Sequence, residues 1–528
     1  MRLNTLTCIC ILFLAACASP TQIPTPEVTV TASPIPQLLS GTWMGSATQP
    51  NGEIYSLVLD LGNSKLNIEP FTKTWDLIIN QTANEFSFTL AGGAKDIFRN
   101  IEFTGTFTPN VIMGSYGEPG DTLVIRANIN WDGVQSESFF VPVQDMQTED
   151  YSSYEGLYRF ESGRGLSVIV SPEFSTSLNF FSKTLMLTDF ESGALRSLYP
   201  LDDSTFLIGA LRVVGAPFDG RVEFIKDAQG NVNGLIWWDA INANDTGEFA
   251  ERVQYTIEDD ISFISADGTK LVGRLSLPES DAPVPAIMGL HGSEPGTRDN
   301  FGAKVMAHYM LSQGIAILNY DKRGAGESEG VYKEWPSPAN LQNIAEDAIA
   351  GVQYLTSRPE IDAKKIGLIG FSQAGWVMPL AASQSQDISF IVALSSPVES
   401  TFHDTKFNEY THNGNTVIDD YDDAFITQQL RETKPSGFDS IPLLSELNQK
   451  GLWLWGSVDK TVPATFCAEN LQAIIDSGKD NFSYQILPNG DHNLNFSEHG
   501  YFNEIPYSPN VLFYEPLAQW LEENILSK

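Results

Sequence analysis

Three residues that could together activate a hydroxyl nucleophile lie far apart in the C-terminal half of the chain. Ser372 occurs in GLIGFSQAGW, Asp459 in LWLWGSVDKTVP and His492 in LPNGDHNL. A serine hydroxyl is a weak nucleophile unless a neighbouring base takes its proton, and a carboxylate commonly orients that base. We therefore predict that His492 deprotonates Ser372 and that Asp459 orients His492.

The segment around the serine differs by one residue from the G-x-S-x-G pattern of a nucleophile elbow. Gly370 lies two residues before Ser372, but the position two residues after it is Ala374, and the next glycine is Gly375. In such an elbow the residues two before and two after the serine come close together and must be small. Alanine adds one methyl group, so this departure does not exclude the serine as a nucleophile. An ordinary turn residue is the alternative interpretation.

Two backbone N–H groups are candidates for stabilising the oxyanion that forms during acyl transfer. One belongs to Gln373, which follows the serine, and the other to Ser293 in the glycine-containing segment LHGSEPG. Loss of one such donor typically costs about 3–4 kcal/mol of transition-state stabilisation. For the acid of the triad, Asp491 is an alternative to Asp459, which could instead be a helix N-cap.

These residues follow segments that are typical of buried strands. From about residue 256 onward, helical segments alternate with the apolar runs PAIMGLHG, GIAILNYD, KIGLIGFS, FIVALSS and GLWLWGS. This alternation predicts an α/β fold with a mostly parallel sheet covered by helices on both faces. Catalytic groups in such folds lie at the carboxyl ends of strands. After the second run, Asp321 and Arg323 are predicted to fix a loop by hydrogen bonds.

The N-terminal half before this region has the pattern of β structure. Short apolar runs are separated by Gly, Asn, Asp and Pro, which predicts hairpins that turn at Pro109-Asn110 and around Gly230. We interpret this half as two β-rich domains, residues 38–147 and 148–255, and one larger β-rich domain is the alternative.

The first residues of the chain have the pattern of a targeting segment. In residues 1–17, Arg2 is followed by a short apolar run and by small residues before Cys17, which predicts a secretory signal. The ending Leu-Ala-Ala-Cys resembles the lipobox of bacterial lipoproteins, and this implies a lipidated Cys17 and an extracytoplasmic protein anchored to a bacterial membrane. Cleavage with release is the alternative. Residues 18–37, rich in Pro, Thr and Ser, predict an extended tether.

Composition disfavours several other functions. With 31 basic and 66 acidic residues, the net charge of −35 should repel nucleic acids. Cys467 is the one cysteine outside residues 1–17, so no internal disulfide is expected, and it is interpreted as a core residue. The histidines show no metal-like spacing, and neither a metal nor a cofactor is expected. Tryptophans in the β-rich half could contact glycans, although packing is their commoner role.

The motifs HGSEPG, YDKRGAGES, GFSQAGW, GSVDKTVP and NGDHNL together resemble the α/β-hydrolase superfamily over residues 256–528. The nearest branches are the serine aminopeptidase-like and prolyl-oligopeptidase-like hydrolases and related acyl esterases. The chain order Ser, Asp, His is the order of this superfamily. In this fold, an insertion at residues 398–450 is expected to form a lid over the serine.

The resemblance implies a serine hydrolase that acts on a small-molecule ester or peptide substrate. Ester hydrolysis is favoured because esters need less leaving-group activation. A serine peptidase, in which an acid such as Glu294 or Glu329 holds a substrate amine, is the first alternative. A lipoprotein that binds a polymer without catalysis is the second.

Overall fold

The computed structural model describes most of the chain after residue 41. The described residues are 42–48, 54–69, 74–82, 85–91, 102–107, 112–117, 136–142, 151–171, 184–200, 202–209, 218–239, 246–333, 335–415, 421–501 and 510–527. The predicted lipidation site Cys17, the tether 18–37 and the turn at Pro109-Asn110 lie outside the described residues.

The first eight strands form a closed antiparallel barrel in which each strand pairs with the next and β8 pairs with β1. Alternation along β4 buries Trp75 and Leu77 and exposes their neighbours, as expected for strands with one buried face. The strands are β1 (Thr42–Thr48), β2 (Ile54–Asp60), β3 (Lys65–Glu69), β4 (Thr74–Gln81), β5 (Glu85–Ala91), β6 (Glu102–Phe107), β7 (Ile112–Gly117) and β8 (Ser136–Pro142).

The next eight strands form a second closed antiparallel barrel, in which β16 pairs with β9. Its core is rich in aromatic rings, including Tyr158, Phe206 and Phe224. Gly230 lies in the β14–β15 turn with φ +89°, a conformation that favours glycine. After a 3₁₀ turn (Ser152–Tyr154), the strands are β9 (Gly156–Phe160), β10 (Gly165–Ser171), β11 (Thr184–Asp189), β12 (Leu195–Pro200), β13 (Thr205–Gly209), β14 (Phe218–Lys226), β15 (Val232–Trp238) and β16 (Glu248–Arg252).

The remaining strands form one eight-stranded sheet in the order β17-β18-β20-β19-β21-β22-β23-β24. The β17–β18 and β18–β20 pairs are antiparallel, and the other neighbours are parallel. The strands are β17 (Tyr255–Ile264), β18 (Lys270–Pro278), β19 (Val284–Leu290), β20 (Ala316–Tyr320), β21 (Ile361–Phe371), β22 (Phe390–Leu394), β23 (Lys450–Gly456) and β24 (Phe482–Leu487).

Helices cover this sheet and enclose two hydrophobic cores. They are α1 (Phe301–Ser312), α2 (Pro338–Thr356), α3 (Ala374–Gln384), α4 (Thr401–Thr411), α5 (Asp423–Glu432), α6 (Ile441–Glu446), α7 (Ala464–Asp476) and α8 (Tyr514–Leu521), with a 3₁₀ turn at His412–Gly414 and a π-helical turn at Glu522–Leu526. The α/β fold predicted from the alternating pattern is thus confirmed. Three of these helices, α4, α5 and α6, fall within the predicted lid segment 398–450. No helix in the described part of the chain combines the length and apolar composition needed to cross a bilayer.

The second barrel packs against helix α1 through a buried histidine. Ser167 Oγ lies 2.7 Å from His308 Nδ1, and Tyr255 OH lies 2.8 Å from His308 Nε2. Burial, together with the smaller effect of the cations Lys304 and Arg252, lowers the pKa of His308 to about 3. The imidazole therefore joins barrel, sheet and helix in its neutral form.

Candidate active site

Ser372 occupies a sharp turn between β21 and α3. Its φ is +52°, a left-handed conformation that strains a residue with a side chain. A Cβ added at Gly370 would lie 2.5 Å from the Cβ of Ala374. The two positions that flank the serine therefore touch, and the turn tolerates alanine at one of them because the other is glycine.

His492 and Asp459 form a hydrogen-bonded pair. His492 Nδ1 lies 2.9 Å from Asp459 Oδ2 and 3.2 Å from Oδ1, and the side chain of Asp459 is fully buried. Asp459 Oδ1 also accepts the N–H groups of Thr461 and Val462 at 2.7 and 3.0 Å. These bonds fix the carboxylate, so it can hold the imidazole in one orientation.

The alternative acid, Asp491, has a different environment. Its Oδ1 accepts the backbone N–H groups of Asn493 and Asn495 at 2.8 and 2.9 Å. Asp491 therefore shapes the turn that carries His492, whereas Asp459 contacts the ring nitrogen.

Neighbouring carboxyl groups set the protonation of His492. Burial alone would lower its pKa, but the negative charge of Asp459 and the hydrogen bond to it, followed by the charges of Asp491 and Asp404, outweigh burial. The pKa of His492 is raised above its ordinary value as a result. For the carboxyl group of Asp404, on α4, burial has the opposite effect and raises the pKa to about 7.

The strand ends bring the three predicted residues to one edge of the sheet. Ser372 follows β21, Asp459 follows β23 and His492 follows β24, and these strands run parallel through β22. Backbone hydrogen bonds connect the carboxyl ends of neighbouring strands. Ser372 N–H donates to Leu394 O at 3.1 Å, and Ser395 N–H donates to Leu454 O at 2.8 Å.

The segment that contains Ser293 lies beside the elbow. A Cβ at Gly292 would lie 3.5 Å from the Cβ of Ser372, so this loop faces the nucleophile. Ser293 is exposed, and its carbonyl accepts a hydrogen bond from Tyr332. Gln373, the other predicted donor, is buried directly after the serine.

Lys322, which was not predicted from the sequence, connects the loop that carries Ser293 to the side chain of Gln373. Its buried Nζ donates to Gly292 O at 2.5 Å, to Glu294 O at 3.3 Å and to Gln373 Oε1 at 3.1 Å. Desolvation lowers its pKa to about 8. The motif YDKRGAGES places Lys322 two residues after β20, but no pattern within the motif indicates its partners in two other loops.

The neighbours of Lys322 stabilise the same loops. Asp321 accepts the N–H of Arg298 at 2.8 Å and forms an ion pair with its guanidinium. Arg323 binds both oxygens of the buried Asp347 at 2.7 and 2.6 Å. His291, in the segment LHGSEPG, donates through Nε2 to Tyr320 O at 2.6 Å. These residues hold loops in place and lie outside the pair formed by His492 and Asp459.

Other candidate groups are placed differently. The half-exposed Glu294 lies in the loop beside the elbow, with Oε1 3.8 Å from His291 Nδ1. Glu329 accepts Lys270 N–H at 3.3 Å, near the start of β18. Cys467 is a buried free thiol. Among the residues that the structure describes, no cluster of His, Cys, Asp and Glu could hold a metal ion.

Comparison with known proteins gives consistent matches for this part of the chain. The X-Pro dipeptidyl-peptidase (S15) family matches residues 267–437. Esterase EstD of Thermotoga maritima is 26% identical over 258 residues, which are 45% of this chain and 60% of that protein. These matches support the α/β-hydrolase superfamily for the C-terminal domain. The order of strands in its sheet agrees with this assignment.

Further relatives of this α/β-hydrolase domain include peptidases and thiohydrolases. Human dipeptidyl peptidase 8 is 25% identical over 288 residues, 52% of this chain and 29% of that protein. Thiohydrolase aneE of Aspergillus aculeatus is 31% identical over 145 residues, 28% of this chain and 43% of that protein. The chain thus spans less than two thirds of the length of these relatives. A solved esterase of Pyrococcus furiosus has a TM-score of 0.35 at 19% identity and covers 52% of this chain and 94% of its own.

Proposed function

We propose that this protein is a serine hydrolase that cleaves carboxylic esters through an acyl-enzyme. The observation that carries the proposal is the contact between His492 and the buried carboxylate of Asp459, at the edge of the sheet where the strained Ser372 follows its strand. This arrangement supplies a nucleophile, a base and the group that orients the base.

In the proposed mechanism, His492 Nε2 takes the proton of Ser372 Oγ while Oγ bonds to the carbonyl carbon. The N–H groups of Gln373 and Ser293 stabilise the negative charge that develops on the carbonyl oxygen. The C–O bond to the leaving group then breaks, and His492 returns the proton to the departing alcohol. Water, deprotonated by the same imidazole, attacks the acyl-enzyme and releases the acid and the free serine.

A serine peptidase is the second candidate function. Glu294 lies in the loop beside Ser372 and is half exposed, so its carboxylate could hold the ammonium group of a peptide substrate. The match to the X-Pro dipeptidyl-peptidase family supports this candidate, whereas the match to Esterase EstD supports ester hydrolysis. Esters remain favoured because an alcohol leaves more readily than an amine.

The surroundings of this site are also part of the proposal. Helices α4, α5 and α6 lie in the segment proposed as a lid, and Asp404 on α4 acts electrostatically on His492. We propose that the protein is extracytoplasmic and that lipid on Cys17 anchors it to a bacterial membrane. A glycan contact by the β-rich half stays a prediction.

The test combines labelling of the serine with a substrate panel. A fluorophosphonate probe should label the wild-type protein and should fail to label Ser372→Ala. The wild type should hydrolyse p-nitrophenyl acetate and butyrate faster than aminoacyl and Xaa-Pro p-nitroanilides. Absence of labelling in a folded wild type would contradict the proposed function.

Glu294→Gln separates the two candidate functions. If the protein is a peptidase, this variant should raise KM for anilides with a free amine and leave the hydrolysis of p-nitrophenyl acetate unchanged. Faster turnover of anilides than of esters by the wild type would favour the peptidase.

A further inference from the structure

The loop that carries His492 is a hairpin closed by backbone pairing. Gly490 pairs with Phe496, and the N–H of Ser497 donates to Asn489 O at 2.7 Å. The histidine therefore lies near the tip of two paired arms, and its position depends on whatever holds those arms.

The second arm of this hairpin pairs with residues 510–512 near the C-terminus. Asn495 pairs with Val511, and the N–H of Leu512 donates to Leu494 O at 2.8 Å. Bonds of this kind fix the register of neighbouring strands. The C-terminal segment consequently holds the hairpin from one side.

The second barrel contacts the other edge of this C-terminal segment. Residues 190–194 connect β11 to β12 and are called here the barrel turn. The N–H of Val511 donates to Gly193 O at 2.7 Å, and Ala194 pairs with Asn510. A continuous backbone ladder therefore runs from the barrel turn, through the C-terminal segment, to the hairpin with the catalytic histidine.

The barrel turn is itself held firmly. The buried carboxylate of Asp189 accepts a hydrogen bond from the hydroxyl of Ser192 at 2.6 Å. It also accepts hydrogen bonds from Nε and Nη2 of Arg164 at 3.2 and 3.0 Å. Phe190 packs edge-on against Tyr309 of α1, with ring centroids 5.2 Å apart. A turn fixed at its base can restrain the segment that pairs with it.

Gly193 is required for this contact by its conformation and by space. Its φ is +71°, and a Cβ at this position would collide with the carbonyl oxygen of Val511. Gly230, in another turn of the same barrel, has φ +89° and nothing within 4 Å of an added Cβ. Both glycines thus have positive φ, but only Gly193 contacts the backbone ladder.

We infer that the barrel turn is a positioning element of the active site, which holds the His492 hairpin in contact with Asp459 through the C-terminal segment. This inference rests on the proposed function, because it assigns the second barrel a part in the base step of that reaction. The barrel would therefore affect turnover without touching the substrate.

The test compares Gly193→Ala with the matched control Gly230→Ala. Both variants place alanine at positive φ, but only Gly193→Ala displaces Val511. We expect kcat for p-nitrophenyl acetate to fall about 10- to 100-fold in Gly193→Ala, since small misplacements far from the chemistry can have effects of this size. KM should change less than about twofold, because the substrate contacts remain. Gly230→Ala should match the wild type in both constants.

The pH profile provides a readout that general loss of stability would not move. Because Asp459 raises the pKa of His492, a looser contact should lower that pKa and shift the acid limb of kcat/KM to lower pH in Gly193→Ala. Wild-type kcat and an unchanged acid limb in a folded Gly193→Ala would overturn the inference. A wild type without activity or probe labelling would instead overturn the proposed function.

Hydrogen exchange of the wild type tests the inference without any variant. The amide of Val511 should exchange slowly, together with the amides of Phe496 and Leu512, because one ladder protects all three. Rapid exchange of Val511 alone would show that the barrel turn does not hold the C-terminal segment, and this would overturn the inference even if Gly193→Ala fails to fold.

Discussion

The serine and the histidine of the proposed site are held in place in different ways. The turn at Ser372 depends mainly on residues within two positions of it, because the methyl group of Ala374 leaves no room for a side chain at Gly370. His492 instead depends on Asp459, 33 residues earlier, and on pairing that reaches Val511 and Gly193.

This difference shows why the two halves of the site should respond differently to substitution. A local turn can be disrupted by a substitution at a neighbouring position and restored by a second substitution nearby in the sequence. An assembled loop can be displaced from several distant places, each of which changes the same contact between His492 and Asp459.

The largest expected effect concerns the pair formed by His492 and Asp459. Asp459→Asn should lower kcat by about 10⁴-fold, because an amide no longer holds the imidazole in the required tautomer. Asp491→Asn should lose far less activity, since Asp491 bonds to backbone N–H groups of the turn. Steady-state kinetics of both variants measure the difference, and equal losses would contradict the assignment of Asp459 as the acid.

An intermediate effect is expected at the turn that carries Ser372. Gly370→Ala should reduce probe labelling about 10²-fold through misplacement of Ser372 and should lower the free energy of unfolding by about 1–3 kcal/mol through overpacking. Adding Ala374→Gly to this variant should restore part of both, because it removes the methyl group 2.5 Å away.

Gly302→Ala is the control for this substitution, since nothing lies within 4 Å of a Cβ at that helical position. If the second substitution rescues neither labelling nor stability, then the elbow is not governed by its local contact.

The smallest effect is expected at Lys322, which connects the loop that carries Ser293 to the side chain of Gln373. Lys322→Met should lower kcat about 10-fold at pH 7, because the loops that carry Gly292 and Gln373 lose their common donor. Lys365→Met is the control, since Lys365 also donates to a backbone carbonyl, that of Ile525, away from the elbow.

The pH profile of the wild type should have two limbs. His492 must be neutral to act as a base, and its pKa is raised, so kcat/KM should rise with pH through a value above 6.5. Lys322 loses its charge near pH 8, so activity should decline above that pH. The alkaline limb should disappear in Lys322→Met, and its persistence there would assign it to another group.

The sequence allowed prediction of those parts of the site that depend on short segments. The apolar runs predicted the parallel strands β19 to β23, and Ser372 directly follows one of them. Asp459 lies in the loop after β23, and His492 lies in the loop after β24. The elbow was recognisable despite Ala374 because its physical requirement is small size, which can be read within five residues.

The parts that could not be predicted arise from contacts between distant segments. In the sequence, nothing distinguishes Lys322 from a solvated lysine. Its three oxygen partners come from two other loops. The contact of Gly193 with Val511 joins positions more than 300 residues apart, and no local pattern marks it. Closure of the two barrels likewise depends on pairing between first and last strands, β1 with β8 and β9 with β16.

The neutral imidazole of His308 makes the junction between the second barrel and the hydrolase domain sensitive to acid. Its pKa is about 3 in the folded protein against an ordinary value of 6.5, so the unfolded chain binds the extra proton throughout that interval. Stability from this group is therefore complete above pH 6.5 and is lost as the pH falls toward 3. Acidification should therefore weaken the contacts of His308 with Ser167 and Tyr255, where the second barrel meets α1.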